Sequence, residues 1–456
     1  MPRFIIETFG CQMNVHDSER MAGLLEQAGY EPTDDAGDAD LIVINTCSVR
    51  EHAVDKLYSR LGELRHAGPA GRPPLVAVAG CVAQQEGASL FGRSPVIDVV
   101  VGTQAMRRLP VLVERAATTR ERQVDVNPYE DVSFPLGIAR RMDPVKAYVT
   151  IVEGCNDFCA FCVVPYTRGH ERMRPKADIL AEVREAAATG RREVHLLGQI
   201  VNHYQAPDDP ACDFARLLAE VHEVGGIERI RFASPHPRHV SDGLIAALRD
   251  LPKLCKHVHL PIQSGSTRVL AAMRRRHTRE EYLDLVARIR GHVPGVMLST
   301  DIIVGFPGET VEDFEETLSL VRAVGFQSMF SFKYSERPNT LAAKRMPDGV
   351  AEQEKTRRLT ELQGVQKGIQ AGIHEKMVGE VHAVLVDAQS RRREGDLSGR
   401  TTGNVVVNFP GRAEWFGSVR PIRIRRAGPN SVWGEPERLD SSQGGALALS
   451  LQRESR

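Results

Sequence analysis

Three of the eight cysteines in this chain, Cys155, Cys159 and Cys162, are spaced Cys-x3-Cys-x2-Cys. Three thiolates that close together can wrap one corner of a cubane iron–sulfur cluster, for which cysteine is the usual ligand. A cube of four irons held by three cysteines leaves one iron open, and an open coordination position marks catalytic use of a metal. A zinc knuckle is the plainer alternative. It needs a fourth ligand, and no second Cys-x2-Cys pair is present, although His170 lies nearby. Cys11, Cys47 and Cys81 form a second set, 36 and 34 residues apart. Each falls just after an apolar run that reads as a strand. The ligand-binding edge of an open α/β sheet lies beyond the carboxyl ends of its strands. Three distant cysteines could therefore converge there and hold a second cluster, again with one iron open. Small thiols buried by chance are the bland alternative. Cys212 and Cys255 follow no pattern and read as structural.

The elements that must position these residues fall into three groups. The 456 residues suggest about three domains. In residues 1–117, apolar runs at 3–8, 41–46 and 75–79 alternate with helical patterns at 18–28 and 51–65, which predicts a parallel α/β sheet. Residues 118–143 read as a linker, with Pro128, Pro135 and mixed charge. From 144 to 375, strands are expected at 147–152, 193–197, 229–233, 257–262, 297–304 and 327–333. Helices are expected at 177–189, 213–224, 241–251, 278–290 and 311–324. Six βα repeats make a barrel two strands short of a complete one, or an open sheet. After a polar helix at 350–376, short strands at 381–386, 403–409 and 418–424 suggest a small β-barrel over 376–440. Residues 441–456 are rich in Ser, Gly and Gln and read as disordered.

Lys+Arg and Asp+Glu are both 59, so global charge predicts no partner. A nucleic-acid surface would need local segregation of charge. Residues 391–426 provide it, with nine arginines against Glu394, Asp396 and Glu414. Arginine pairs well with phosphate, whereas a merely solvated basic face is the alternative. Arg274-Arg275-Arg276 is a second basic run, either a backbone contact or a solvated helix end. No apolar run approaches a membrane span and the first residues lack a signal peptide's apolar core, so a soluble cytoplasmic protein is expected.

Cys155, Cys159, Phe161 and Cys162, following the first barrel strand, resemble the signature of the radical S-adenosylmethionine (SAM) superfamily. That resemblance implies that SAM chelates the open iron and is split to a 5′-deoxyadenosyl radical. Polar groups at the other strand ends are then suited to hold SAM, among them Gln199, Ser234 and Gln263. With Cys11, Cys47 and Cys81, the resemblance narrows to the radical-SAM methylthiotransferases. The stretches Thr8-Phe9-Gly10-Cys11-Gln12-Met13-Asn14, Asp17-Ser18-Glu19, Val163-Val164-Pro165-Tyr166-Thr167-Arg168-Gly169 and His259-Leu260-Pro261-Ile262-Gln263-Ser264-Gly265-Ser266 are similar to the branch acting on N6-isopentenyladenosine in tRNA.

The fold this implies is α/β: a Rossmann-like N-terminal domain, a central partial (βα)6 radical-SAM barrel and a C-terminal TRAM β-barrel that binds RNA. The implied reaction is methylthiolation of C2 of that adenosine at position 37. The implied cofactors are two [4Fe–4S] clusters and two SAM molecules per turnover, one as radical source and one as methyl donor. The six cysteines are then both metal ligands and catalytic residues. The implied partners are a tRNA anticodon loop, a flavodoxin or ferredoxin type reductant, and a sulfur or cluster-assembly donor, with no membrane. Branches acting on threonylcarbamoyladenosine or on a ribosomal-protein aspartate are the alternative, and a zinc-containing RNA-binding protein is a third reading. One departure is Ile200, within Gly198-Gln199-Ile200-Val201-Asn202, where the family has Asn. Its side chain cannot hydrogen-bond.

Overall fold

The computed structural model describes residues 1–49, 51–64, 73–127, 137–391 and 393–437. Five strands of the first domain, Arg3–Phe9 (β1), Leu41–Thr46 (β2), Leu75–Gly80 (β3), Val99–Val101 (β4) and Gln123–Asp125 (β5), lie side by side in that order. The two-residue strand Glu31–Pro32 adds beside β1 on the other edge, and every pairing is parallel. Strand order therefore reverses at β1, which makes the sheet doubly wound. Helices cover both faces, as the unbroken apolar burial of β2 requires. The expected three strands are present, and the sheet gains three more. β4 and β5 are only three residues long, too short for a hydrophobic period to show. Part of the stretch read as a linker is thus β5. Beyond it, Ile138 is buried with its carbonyl against Gly23 of helix Gln12–Gln27 (α1). The tail from 438 onward lies outside the described residues.

Six strands build the barrel of the central domain: Lys146–Thr150 (β6), Glu193–Leu197 (β7), Arg229–Phe232 (β8), His257–His259 (β9), Met297–Val304 (β10) and Ser328–Lys333 (β11). They form two parallel three-stranded sheets, β8-β7-β6 and β9-β10-β11, bridged where Ile230 pairs with Leu254. Among the described residues β6 and β11 are not paired, so the barrel is open along that edge. Local sequence sets the helices. Helix Val311–Val324, for example, starts at Thr310, whose hydroxyl accepts from Asp313 N while Asp313 Oδ2 accepts from Thr310 N at 2.7 Å. It ends at Gly325 in the left-handed region.

Strands Val381–Gln389 (β12), Asp396–Arg400 (β13), Val406–Pro410 (β14), Val419–Arg426 (β15) and Val432–Pro436 (β16) close a barrel in the order β12-β13-β14-β16-β15. β13 and β16, Asp-Leu-Ser-Gly-Arg and Val-Trp-Gly-Glu-Pro, carry too few apolar residues to read as strands in isolation. This barrel docks at the amino ends of the central strands. Arg229 donates to the carbonyls of Arg400 (2.6 Å) and Ala383 (2.7 Å), and Arg231 to that of Thr401 (2.7 Å). No helix among the described residues is long and apolar enough to cross a membrane.

Candidate active site

The first cysteine set is built by the loops after β1, β2 and β3. Cys11 caps α1, and its N–H and thiol both donate to Asn14 Oδ1, at 3.2 and 3.3 Å. Asn14 is tied to Asn45 at the end of β2, whose amide donates to the Asn14 carbonyl (2.8 Å) and to Ser18 (2.9 Å). Gly80 precedes Cys81 with φ +89°, and a Cβ there would fall 2.3 Å from Asn45 Oδ1. Only glycine lets β3 deliver Cys81 beside this amide network. The three cysteines converge, with Cys47 close enough to Cys11 and Cys81 to shift the proton affinity of both. Hydrogen bonding from Cys47, with the Arg168 charge nearby, holds Cys11 down at about 5 and Cys81 at about 7 against the cost of burial. Cys47 is pushed up by its two thiol neighbours and by burial.

The second set lies on the loop after β6. Gly154 has φ +79°, and a Cβ would meet the His170 carbonyl at 2.1 Å, so the loop enters its turn only with glycine. Cys155 N–H donates to Gly169 O (3.1 Å), Ala160 N–H to Met273 O (2.9 Å), and Ala342 N–H to Ala160 O (2.8 Å). These bonds clamp the loop between both halves of the barrel. Burial pushes Cys155 up to about 11 and Cys162 up to about 12. Arg275 Nη1 lies 3.6 Å from Cys159 Sγ and Nη2 donates to Pro261 O (2.9 Å). The Arg274-Arg275-Arg276 run is therefore not one surface patch. Arg275 is buried against the cysteine loop, while Arg274 and Arg276 are exposed, both at positive φ. Cys159 and Cys162 line a cavity of about 370 Å³ with Phe158, Tyr166 and Lys344.

Helix α1 joins the two sites. Met13, Asn14, His16, Asp17, Ser18, Glu19 and Arg20 are all buried, because one face of α1 packs on its own sheet and the other on the central barrel. His16 Nδ1 accepts from Thr150 (2.8 Å), its Nε2 donates to Glu182 (3.2 Å), and Arg20 pairs with Glu153 (2.9 Å). Burial holds the His16 imidazole down at about 3, so it is neutral. From the other side, the chain leaving Cys162 runs through Thr167 to Arg168. Arg168 is buried and donates to Asp17 at 2.6 Å, and its charge bears on Cys81 and Cys11.

The residues expected to hold SAM sit at the carboxyl edge in different states. Gln199 Nε2 lies 2.7 Å from Met13 Sδ, and its buried Oε1 has no partner. Ser234 and Gln263 adopt positive φ, +61° and +75°. Ile200 is buried, and the polar work of that segment falls to Asn202, which accepts from His236 N (2.8 Å) and donates to His236 O (3.0 Å). Sequence reading missed Arg168, Asp17, His16 and Arg275 as site residues. Arg168 and Asp17 stand inside quoted motifs and His16 falls between two of them, but only the fold brings them beside the cysteines.

Each set offers three thiols, the donor type that iron–sulfur clusters take. His170 is exposed with Nδ1 on Asn156 (3.0 Å). Asp209, Cys212 and Glu220 do crowd together, but Lys176 Nζ supplies the cation there, at 2.8 Å from Asp209 and 2.9 Å from Glu220. Cys255 is buried.

Three family models match in succession: Uncharacterized protein family UPF0004 over residues 3–102, the Radical SAM superfamily over 149–321 and the TRAM domain over 375–436. The fold matches that of a radical S-adenosylmethionine methyltransferase, TsrM from Kitasatospora setae, with TM-score 0.55, 15% identity and coverage of 84% of this chain and 81% of that one. Fold and site thus define a radical SAM enzyme carrying a cysteine-bearing N-terminal domain and a TRAM barrel. The tRNA-2-methylthio-N(6)-dimethylallyladenosine synthase of Thiobacillus denitrificans is 46% identical over 97% of this chain and 99% of its own length. That of Geobacter metallireducens is 47% identical over 94% and 97%. The chain belongs to the family of tRNA-2-methylthio-N(6)-dimethylallyladenosine synthases.

Proposed function

We propose that this enzyme attaches a methylthio group to C2 of N6-dimethylallyladenosine (N6-isopentenyladenosine) at position 37 of tRNA. The observation that carries the reading is the pairing of two three-cysteine sites across one domain junction, with Arg168 reaching from the loop of one to the side of the other. Near-full-length relatives with that name support the same substrate.

Cys155, Cys159 and Cys162 would hold one [4Fe–4S] cluster, and Cys11, Cys47 and Cys81 a second. When bound, the first cluster with SAM supplies a carbon radical, and the second supplies sulfur that a further SAM methylates. An unactivated C–H bond demands this, since acid–base groups find no acidic proton at C2. The chain's own residues do the positioning. Arg275 lies on the Cys159 side, and Arg168 sets a positive charge beside Cys11 and Cys81, which favours anionic sulfur there. Gln199, whose buried carbonyl oxygen has no partner in the structure, would accept a hydrogen bond from the SAM amine, with Ser234 and Gln263 on neighbouring strand ends. An external electron donor of flavodoxin or ferredoxin type and a sulfur or cluster-assembly donor complete the cycle.

The C-terminal barrel would bind the tRNA backbone. Its basic surface is narrower than its arginine count, because Arg423 pairs with Glu437 and Arg425 with Glu435. Arg426 and Arg393 lie over Trp433, 4.6 and 5.9 Å from the ring centroid, beside a cleft of about 270 Å³ with Asn408 and Ser431. Guanidinium and indole together suit phosphate and base.

Mass spectrometry of tRNA nucleosides from a strain lacking the gene tests the reading. Loss of 2-methylthio-N6-dimethylallyladenosine, with the unthiolated nucleoside accumulating, is expected, and an unchanged nucleoside profile would overturn it. Iron content of anaerobically reconstituted protein should be about eight per chain, falling to about four when Cys155, Cys159 and Cys162 are replaced by alanine.

A further inference from the structure

Strand β11 forms the open edge of the central barrel, and its two faces differ. Met329, Ser331 and Lys333 face helix Glu352–Lys376. Ser331 accepts from Gln363 (3.2 Å), Lys333 pairs with Glu352, and Met329 joins the main core. The alternate residues, Phe330, Phe332 and Tyr334, therefore face the concave side. Tyr334 is buried against Phe306 and Ala160 of the cysteine loop. Phe330 and Phe332 are 53% and 37% exposed, an unusual state for two aromatic rings on one strand face. Phe332 pairs with Ile303, which packs on the same cluster as Phe161 of the cysteine loop. Phe330 meets the His259 ring at 6.0 Å, and His259 lies 3.3 Å from Asp301. Phe332, in register with Ile303 of the apolar cluster around the cysteine loop, and Phe330, beside the His259–Asp301 pair, thus line the open edge.

We infer that Phe332 and Phe330 form the subsite for the dimethylallyl substituent of the target adenosine and set the enzyme's preference for the prenylated base. This rests on the substrate read under "Proposed function". That substituent is a five-carbon hydrocarbon with no polar atom, so an exposed apolar wall is the surface that recognises it. The register of Phe332 with Ile303 puts the base this wall anchors near the radical source. The wall lies on β11, which among the described residues has no strand partner on its outer side.

The test compares two anticodon stem-loop oligonucleotides, one with N6-dimethylallyladenosine and one with adenosine, on reconstituted wild type, Phe332→Ala, Phe330→Ala and Phe332→Leu. Wild type should prefer the prenylated oligonucleotide in kcat/KM and in Kd by fluorescence anisotropy. Phe332→Ala should lower kcat/KM for it by about tenfold and for plain adenosine by less than about threefold, the scale of one or two buried methylenes. Phe330→Ala should act in the same direction, and Phe332→Leu should keep most of the preference. Iron content and RNA-independent SAM cleavage should stay unchanged. Wild type inert on the prenylated oligonucleotide overturns the proposed function and this subsite with it. A wild type that prefers it, with alanine variants that keep the preference or lose both substrates equally, overturns the subsite alone. So does a change of mass in light scattering with unaltered kinetics, which would mark the wall as an interface between copies.

Discussion

Arg168 donates to Asp17 at 2.6 Å with both side chains buried, across 151 residues of sequence. The pair binds the segment after Cys162 to the helix after Cys11, so each cysteine site helps fix the other. It also places a cation beside thiols that lie in the interior.

Removing one partner of such a pair leaves the other charge buried. Arg168→Met is expected to cost about 3–5 kcal/mol of stability. Asp17→Asn should cost less, because burial already raises the Asp17 carboxyl above its usual range. Urea unfolding of the apoproteins, followed by fluorescence, measures both. Equal stability of wild type and Arg168→Met would mean that the pair contributes nothing.

Acid should weaken the junction between the first two domains. His16 is held down at about 3 by burial, whereas an unfolded histidine titrates near 6.5. The unfolded state therefore binds the extra proton first. The stabilisation is complete above about pH 6.5 and is lost as pH falls toward 3. The slope is at most about 1.4 kcal/mol per pH unit for one site. The stability gap between wild type and His16→Asn should shrink from pH 7 to pH 4.5. A gap independent of pH would show that His16 binds its proton equally well in the folded and unfolded states.

Gly80→Ala should damage one cysteine site selectively. The added Cβ meets Asn45 Oδ1 at 2.3 Å and Thr46 O at 2.7 Å in a backbone conformation that disfavours L residues. Cys81 should be displaced while the loop of Cys155, Cys159 and Cys162 stays intact. Reconstituted iron should drop from about eight to about four per chain, with RNA-independent SAM cleavage retained. Full iron content in the variant would contradict this placement.

Trp433→Ala and Arg426→Ala should weaken tRNA binding through the C-terminal barrel. Each lost phosphate contact should lower the slope of log K against log salt by about one. Arg423→Ala, whose guanidinium is held bidentately by Glu437, should change that slope less. Anisotropy titrations at several salt concentrations separate the three, and equal slopes throughout would place the RNA contact elsewhere.

Much of this architecture is local in origin and was readable. The spacing of Cys155, Cys159 and Cys162 lies within eight residues. β2, β7 and β10 begin and end where their apolar runs do. The closing strands β13 and β16 were not readable, because their burial comes from neighbours across the barrel rather than from their own apolar content. Arg275 looked like one of three surface arginines. Its neighbours Arg274 and Arg276 adopt positive φ, and only Arg275 is turned in toward Cys159.

The sequence by itself determined the two cysteine sets, the three-part order of domains and the family, since each depends on residue types at fixed spacing. Only the tertiary structure decided what lies between the sets. Helix α1 carries a run of polar residues, the packing of two domains buries it, and burial forces His16, Asp17 and Arg20 to find partners in the central domain. Hydrophobic periodicity reports which side of an element is covered by its own domain. It carries no signal for a second domain that covers the other side.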